Sequence, residues 1–399
     1  MANPLKEKCF KLFDCINEYS LYLLVFFIPI STAGIESFFG FLLVSFIIKK
    51  FIKPDFSFLK SSSSIFLIFF VVFISSSLIY SGTYLAKSFT ALFFKWFEYI
   101  LIFIIAQDAL SNRRRIKNII IVLLFGLGLT CISGLSQRFL GFEFLRHRPL
   151  VGIEGGFYGI TGPFQHYNDF GSYLVVVSFI VMGLLLARIK PITKIMLIGL
   201  LCLSLLCIFL TFSRGSFLGL VSVLILMLIV SHKFKASVFL LLLFVIVLSF
   251  LPGTKERLVS TFQIGGDTER FAVWRGTWAM IKDNPFLGKG IGTFMDYFPK
   301  YIPGLTTRYA HNCFLQIWAE TGIFGLLSFL GFLGVIFWKS IKTFRRNSDF
   351  ILLGIICAVF GFLIHSFFDN QLYSLQLAVL FWFMLGLLLA RTNLSNGKN

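Results

Sequence analysis

Charged residues are scarce in this chain: they make up 14% of its 399 residues, whereas hydrophobic residues make up 57% and the mean hydropathy is +0.87. This composition excludes an ordinary soluble domain. Apolar runs of about 15 to 25 residues recur along the chain, which is the length of a helix that crosses the hydrocarbon core. We therefore predict an all-α polytopic membrane protein with about twelve transmembrane helices. The runs lie near 19–32, 34–48, 65–80, 90–107, 116–136, 168–187, 194–211, 215–230, 236–251, 314–338, 350–366 and 372–390.

Acidic residues are the scarcer of the two charge types, with 18 Asp and Glu against 36 Lys and Arg, and the formal net charge is +18. Such an excess of positive charge could indicate a nucleic-acid-binding protein. The cations instead gather in alternate loops between the apolar runs, which is the positive-inside pattern. We therefore expect no nucleic-acid partner, and we expect both termini to lie in the cytoplasm. The basic loops lie near 49–53, 113–117, 188–194, 233–235 and 339–346.

The sequence also lacks the usual signatures of metal and nucleotide sites. Its seven cysteines form no CxxC pair, and its predicted outer loops contain no Asp-x-Asp motif. The glycines from Gly288 to Gly292 have no preceding strand and no following Rossmann unit, so they predict a tight turn rather than a nucleotide site. We therefore predict no metal and no cofactor, and we interpret the cysteines as small buried hydrophobic residues.

Two long polar segments interrupt the helices and are predicted to lie outside the cytoplasm, because long loops translocate largely regardless of charge. Residues 1–251 are expected to form nine transmembrane helices with a smaller periplasmic loop at 137–167. Residues 252–313 are expected to form a large, partly helical periplasmic loop, and 314–399 the last three helices and a cytoplasmic tail. Within the large loop, the spacing of aromatic residues predicts a helix over 267–283.

His311 lies where the large loop meets the next apolar helix. Free N–H groups and the positive end of the helix dipole at such a junction favour an anion. The same field favours a neutral imidazole, which can accept a proton, so His311 is a candidate general base. The alternative is a hydrogen-bonded histidine that only caps the helix.

Several arginines and asparagines near the predicted outer surface are candidate binding residues. Arg214 falls on a short outer turn, where an ionisable residue is a functional candidate, although it could also be an arginine that snorkels to the interface. Arg270 shares a helix face with Trp274, whereas Arg275 points away from that face. The secondary candidates are Arg138, Arg308, Arg275, Asn168 and Asn312, of which Asn168 could instead cap the following helix.

Taken together, these motifs resemble the O-antigen ligase family, whose members transfer glycans at a membrane and share a domain with O-antigen polymerases. The resemblance covers residues 130–390 approximately. Its motifs are Ser213-Arg214-Gly215, Arg270 with Trp274, Asn284-Pro285-Phe286-Leu287-Gly288 to Gly292, His311-Asn312 with Leu315, Glu320, Gly322 and Gly325, and Gly162-Pro163-Phe164 with Asn168.

The resemblance implies a glycosyltransferase of the bacterial inner membrane that needs neither metal nor cofactor. Its donor would be a polysaccharide on undecaprenyl pyrophosphate, and its acceptor a sugar hydroxyl of lipid A–core at the periplasmic face. His311 would act as general base in an inverting displacement, while Arg214 and Arg270 would bind the pyrophosphate, with Arg138 and Arg308 in reserve and Arg275 less favoured.

Other functions remain open from the sequence. An O-antigen polymerase or a related transferase would use the same donor with a different acceptor. A flippase or transporter for lipid-linked glycans belongs to another class, and it would carry its cations along a central cavity rather than at the outer ends of helices. Membrane lipids are expected partners in every case, and the sequence does not determine the oligomeric state.

Overall fold

A computed structural model describes residues 4–55, 62–153, 157–231 and 268–397, and these residues are mostly helical. The helices, in chain order, are α1 (Pro4–Phe27), α2 (Thr32–Ile52), α3 (Ser62–Ser76), α4 (Leu85–Ala91), α5 (Phe97–Ala109), α6 (Arg113–Leu140), α7 (Tyr167–Leu186), α8 (Pro191–Leu210), α9 (Arg214–Ser231), α10 (Thr268–Asp283), α11 (Phe294–Tyr297), α12 (Cys313–Asn347), α13 (Phe350–Ser366) and α14 (Leu375–Ser395). A π-helical turn, Leu92–Trp96, joins α4 to α5. Strands β1 (Val151–Ile153) and β2 (Phe157–Gly159) form an antiparallel hairpin.

Seven helices of the described residues are long and apolar enough to cross a membrane. They are Ser63–Tyr80, Gly82–Ala109, Arg113–Leu140, Tyr167–Leu186, Pro191–Leu210, Cys313–Asn347 and Leu375–Ser395. Two more apolar helices, Arg214–Met227 and Phe350–Ser366, are shorter. The all-α membrane architecture is therefore confirmed, but the prediction of about twelve spans is not. The predicted span at 236–251 lies outside the described residues, as does the first part of the predicted large loop.

The centre of the bundle consists of α7 and α14, which are buried along most of their length. Helix α13 packs on both α7 and α9, α12 packs on α3, and α14 packs on α5. By contrast, α3 keeps large apolar side chains such as Ile65, Phe69 and Val72 on its surface. An apolar outer face around an apolar centre is the arrangement expected of helices that contact lipid.

One end of the bundle holds a network of ion pairs among helix ends that the charge pattern predicts to be cytoplasmic. Asp14 lies 2.6 Å from Lys49 and 2.5 Å from Arg115. Asp108 lies 2.6 Å from both Lys49 and Lys50. Because these residues belong to α1, α2, α5 and α6, the network joins helix ends that are far apart in the sequence. The acids here thus offset part of the positive charge of the basic loops.

The segment between α6 and α7 is bound tightly to the opposite end of the bundle. Gln137 accepts hydrogen bonds from the backbone of Thr161 and Gly162 at 2.8 and 3.1 Å. Buried Glu143 accepts from the backbone of Arg146 at 2.7 Å and from the hydroxyl of Ser133 at 2.8 Å. These hydrogen bonds hold the described parts of the segment, 141–153 and 157–166, against the end of α6.

The predicted helix at 267–283 is confirmed as α10, and it packs against the beginning of α12. Its buried residues Val273, Met280 and Ile281 form a small apolar cluster with residues that include Phe294 and Ala319. This cluster fixes the described part of the large loop to the ends of the membrane helices. The packing of this cluster therefore fixes the orientation of α10, and with it the direction of the face that carries its aromatic residues.

The predicted glycine turn is also confirmed, and it inserts into a break in α12. Gly288, Gly290 and Gly292 all have positive φ, at 70°, 103° and 76°. Helix α12 is interrupted at Gly322, whose φ is 74° and ψ 177°. The N–H groups of Lys289 and Gly290 donate to the freed carbonyls of Ala319 and Glu320, at 3.0 and 2.9 Å. Irregular backbone in a membrane helix is tolerated where other protein groups satisfy it in this way.

Replacing Gly322 with alanine is expected to destabilise the protein by at least about 2 kcal/mol, because that backbone conformation is essentially restricted to glycine. A Cβ at Gly322 would also overlap the carbonyl of Phe286. Thermal unfolding in detergent micelles measures the effect. Gly334→Ala in the same helix is the matched control, since a Cβ there meets no atom within 4 Å. Equal melting temperatures for the two variants would contradict the prediction.

Candidate functional site

His311 immediately precedes α12 and has a strained backbone. Its φ is 50°, a left-handed conformation that costs a residue with a side chain about 1–3 kcal/mol. Asn312 is the N-cap of the helix, and its side chain accepts hydrogen bonds from the backbone of Phe314 and Leu315 at 2.9 and 3.0 Å. Asn312 therefore has a structural role, while the His311 side chain remains 38% exposed.

Asp369 faces His311 and was not among the candidates from the sequence. The Nδ1 atom of His311 lies 3.7 Å from the Oδ1 atom of Asp369, whose side chain is 17% exposed. Burial alone would raise the pKa of Asp369, but the adjacent His311 and the backbone N–H of Asn370 hold it below its usual range. Asp369 thus carries a negative charge beside the Nδ1 atom of His311, which has no hydrogen-bond partner among the described residues.

Arg214 begins α9 directly after a strained turn. Phe212 has a φ of 52°, which is an outlier for so bulky a residue. The hydroxyls of Ser213 and Ser216 lie 2.9 Å apart and stabilise the first turn of the helix. A Cβ at Gly215 would overlap the imidazole of His365, so His365 packs directly against the backbone that follows Arg214.

Arg270 lies on α10, on the side of that helix that meets the turn at 367–374. The ring of Trp274 contacts that of Phe367 with 6.3 Å between centroids, and Phe367 contacts Phe314 at the start of α12 at the same distance. Arg275 is exposed, as the helical spacing predicted. Arg270 is therefore the arginine of α10 that faces the junction at His311.

The electrostatic neighbours of His166 connect these residues. Desolvation lowers the pKa of His166, Asp369 raises it, and the neighbouring His311 and Arg270 lower it further. His365 is likewise an electrostatic neighbour of Asp369 and Arg270, and its ring packs beside Arg214. We call His311, Asp369, Arg214, Arg270, His166 and His365 the His311 cluster.

Helix α7 is joined to the cluster by hydrogen bonds to the turn at 367–374, which carries Asp369. The hydroxyl of Ser374 donates to Asp169 at 3.1 Å, and Ser172 donates to Gln371 at 2.8 Å. His166 is the N-cap of α7, where its Nδ1 atom accepts from the backbone of Asn168. The capping role considered for Asn168 thus belongs to His166, and Asn168 is buried in the first turn of the helix.

The remaining candidates lie elsewhere. Arg138 is exposed in the last turn of α6, and no hydrogen bond or ion pair within the described residues joins it to the cluster. Arg308 is exposed and lines a separate cavity beside the cluster. Of the predicted primary residues, His311, Arg214 and Arg270 all belong to the His311 cluster.

Sequence reasoning missed Asp369 and the part played by His166 and His365. Asp369 follows Phe367-Phe368 in a short turn that carries no cation. An acid in an otherwise uncharged turn at that end of the helices was the available signal. His365 is 1% exposed, and neither ring nitrogen has a hydrogen-bond partner among the described residues. A buried polar group without a partner is uncommon outside functional sites.

The arrangement combines a histidine that faces a carboxylate at 3.7 Å with arginines that can bind a phosphate group. A base of this kind can remove a proton from a hydroxyl, and guanidinium groups form paired hydrogen bonds to phosphate oxygens. The residues of the cluster contain no group of side chains that could hold a metal ion, and neither does the rest of the described chain.

Comparison with known proteins gives a family match that covers three of the six residues of the His311 cluster. No curated protein matches the chain. The family model described as O-Antigen ligase matches residues 198–330, which include Arg214, Arg270 and His311 but not Asp369. Residues 198–330 of this multi-pass membrane protein therefore match the O-antigen ligase family, which confirms the motif resemblance over that range.

Proposed function

We propose that the protein is an O-antigen ligase, a glycosyltransferase that moves a polysaccharide from undecaprenyl pyrophosphate to a sugar hydroxyl of lipid A–core. The reaction would take place at the periplasmic face of the bacterial inner membrane. One observation carries the proposal: His311 faces Asp369 within a cluster that also contains Arg214 and Arg270. The family match at 198–330 supports the same class of reaction.

In this proposal the two arginines bind the diphosphate of the donor. Arg214 and Arg270 come from different helices, α9 and α10, so they can contact the diphosphate from different directions. A guanidinium group stays charged and presents its donors in a fixed plane, which suits phosphate oxygens. Their positive charge stabilises the negative charge that develops on the leaving diphosphate.

The chemical step is a single displacement at the anomeric carbon. The acceptor hydroxyl oxygen forms the new bond to that carbon as the bond to the diphosphate oxygen breaks. The diphosphate leaves with the bonding electron pair, and the hydroxyl proton passes to Nε2 of His311. The configuration at the anomeric carbon is inverted, and the diphosphate is already a competent leaving group without protonation.

Asp369 acts in this scheme as a positioning residue for His311. Because its pKa is held below the usual range of a carboxyl group, its carboxylate stays ionised at neutral pH. In this proposal the 3.7 Å between Asp369 and Nδ1 of His311 shortens to a hydrogen bond when substrate binds, which leaves Nε2 as the base.

Asp369→Asn is expected to lower turnover at least about tenfold while leaving donor binding intact, because the amide can no longer fix the tautomer of His311. Steady-state kinetics with purified protein separates the two effects. A purely structural role for Asp369 would instead reduce the amount of folded protein and leave the turnover of the folded fraction unchanged.

The proposed function is tested in a bacterial strain from which the gene for this protein has been deleted. Lipopolysaccharide from that strain is separated on gels, and lipid-linked glycan is extracted in parallel. A ligase predicts unmodified lipid A–core together with accumulated long undecaprenyl-linked polymer. Complementation with the natural chain restores the ladder, and complementation with His311→Asn does not.

Three other results would contradict the proposal and favour a different function or acceptor. Core that carries a single repeat unit would indicate a polymerase. Loss of all outer-leaflet lipid-linked glycan would indicate a flippase, and an unchanged ladder would exclude lipid A–core as the acceptor.

A further inference from the structure

A second polar site lies beside the His311 cluster, in a cavity of about 540 Å³. We call it the Lys95 cavity. Its walls come from α4, the π-helical turn, the glycine turn, the start of α12 and the turn at 367–374. The lining residues that matter here are Lys87, Lys95, Arg308, Tyr309, Glu320 and Tyr373.

The charges in the wall do not cancel. Lys87 is paired with Asp296 at 2.6 Å. Glu320 accepts hydrogen bonds from Gln316 at 3.2 Å and from the hydroxyl of Tyr373 at 3.1 Å, so this carboxylate is satisfied within the wall. Lys95 and Arg308 are exposed, and no carboxylate of the described residues lies within ion-pair distance of either. Lys95 and Arg308 are therefore the lining cations without an ion-pair partner among the described residues, and together they exceed the single negative charge of Glu320.

The backbone that presents Lys95 is unusual. Lys95 lies in the π-helical turn Leu92–Trp96, in the middle of an otherwise α-helical span. Such turns are rare, and they are frequently found at functional sites. Trp96, from the same turn, also lines the cavity, and it contacts Tyr373 with 6.1 Å between ring centroids.

Tyr309 connects the cavity to the His311 cluster. Its ring lies 6.0 Å from that of Tyr373 in the cavity wall. Burial raises the pKa of Tyr309, Arg308 lowers it, and Asp169 and Glu320 raise it further. Asp169 supports the cluster, whereas Arg308 and Glu320 line the cavity. Tyr309 is also two residues before His311, so the chain segment that lines the cavity leads directly to the proposed base.

We propose that the Lys95 cavity binds an anionic group, a phosphate or a carboxylate, on the sugars of the acceptor glycolipid. The inference rests on the proposed function, in which the donor diphosphate occupies Arg214 and Arg270. The acceptor is then the substrate available to a second cationic site. Lys95 and Arg308 bind its anionic group and so bring a neighbouring hydroxyl within reach of His311.

The test measures binding of lipid A–core to the full chain in nanodiscs, with intact acceptor and with acceptor from which the phosphates have been removed. The variant is Lys95→Gln with Arg308→Gln. The charge-matched control is Arg275→Gln with Lys282→Gln, which removes two exposed cations of α10. Transfer from a lipid-linked donor is measured in the same nanodiscs.

We expect the cavity variant to bind intact lipid A–core about tenfold more weakly or worse, because charge-assisted hydrogen bonds are lost, whereas the control variant binds normally. A defect seen only with intact acceptor identifies a phosphate, and a defect with both acceptors identifies a carboxylate. The KM for acceptor rises in parallel, and the KM for donor stays unchanged.

Normal acceptor binding by the cavity variant, with transfer in the natural chain, would overturn this inference and leave the proposed function intact. Absence of both transfer and lipid A–core binding in the natural chain would overturn both.

Discussion

Replacing His311 with asparagine is expected to lower transfer about 10²–10⁴-fold, the usual contribution of a general base. Asparagine is the appropriate substitute because it tolerates the left-handed backbone at φ 50° better than alanine does. The amide cannot take the acceptor proton, so turnover falls while binding of the lipid-linked donor stays near normal. Transfer by the purified protein and donor binding are measured side by side.

His147 provides a matched control for this experiment. It is exposed, its φ is 55°, and it belongs to the segment between α6 and α7 rather than to the His311 cluster. His147→Asn should therefore retain full transfer. Near-normal turnover of the His311 variant, with equal amounts of folded protein, would exclude His311 as the base.

The second large effect is expected for Arg214→Lys and Arg270→Lys, each of which keeps the charge but removes the planar pair of donors. Charge-assisted hydrogen bonds contribute about 1.5–3 kcal/mol each, so kcat/KM should fall about tenfold to a hundredfold for each variant. Titration with donor at saturating acceptor measures this, and binding of a non-hydrolysable diphosphate analogue should weaken in parallel.

Arg275→Lys and Arg138→Lys are the controls for the arginines. Arg275 is on the same helix as Arg270 but is exposed, and Arg138 lies in the last turn of α6. Both variants should transfer normally. Full activity of Arg214→Lys and Arg270→Lys would mean that positive charge alone is sufficient. It would exclude the proposed paired hydrogen bonds to the diphosphate.

The glycine turn at 288–292 could be predicted from the sequence, but the contact that this turn makes in the fold could not. Several glycines within five residues, after Asn284-Pro285, predict a tight turn from backbone sterics alone. Nothing in the sequence indicates that this turn inserts into a helix broken at Gly322. That contact depends on two segments about thirty residues apart, and only packing brings their N–H and carbonyl groups together.

Asp369 illustrates the same limit for the site. His311 could be selected because it stands beside a helix start in an apolar chain, which is a local property. Asp369 lies in a turn between α13 and α14, so its relation to His311 depends on how α12, α13 and α14 pack. Likewise, Arg308 was a reserve candidate for binding the pyrophosphate, and only the structure shows that it lines the Lys95 cavity.

The sequence by itself determined that this is an all-helical membrane protein, which residues lie at helix ends, and that its motifs are those of the O-antigen ligase family. Those properties depend on hydrophobic run length, charge placement and local motifs, all of which are local in the chain. Only the tertiary structure decided that helices supplying His311, Asp369 and Arg270 meet at one end, and that a cationic cavity adjoins them. Such convergence depends on side-chain packing between distant segments, which no local pattern specifies.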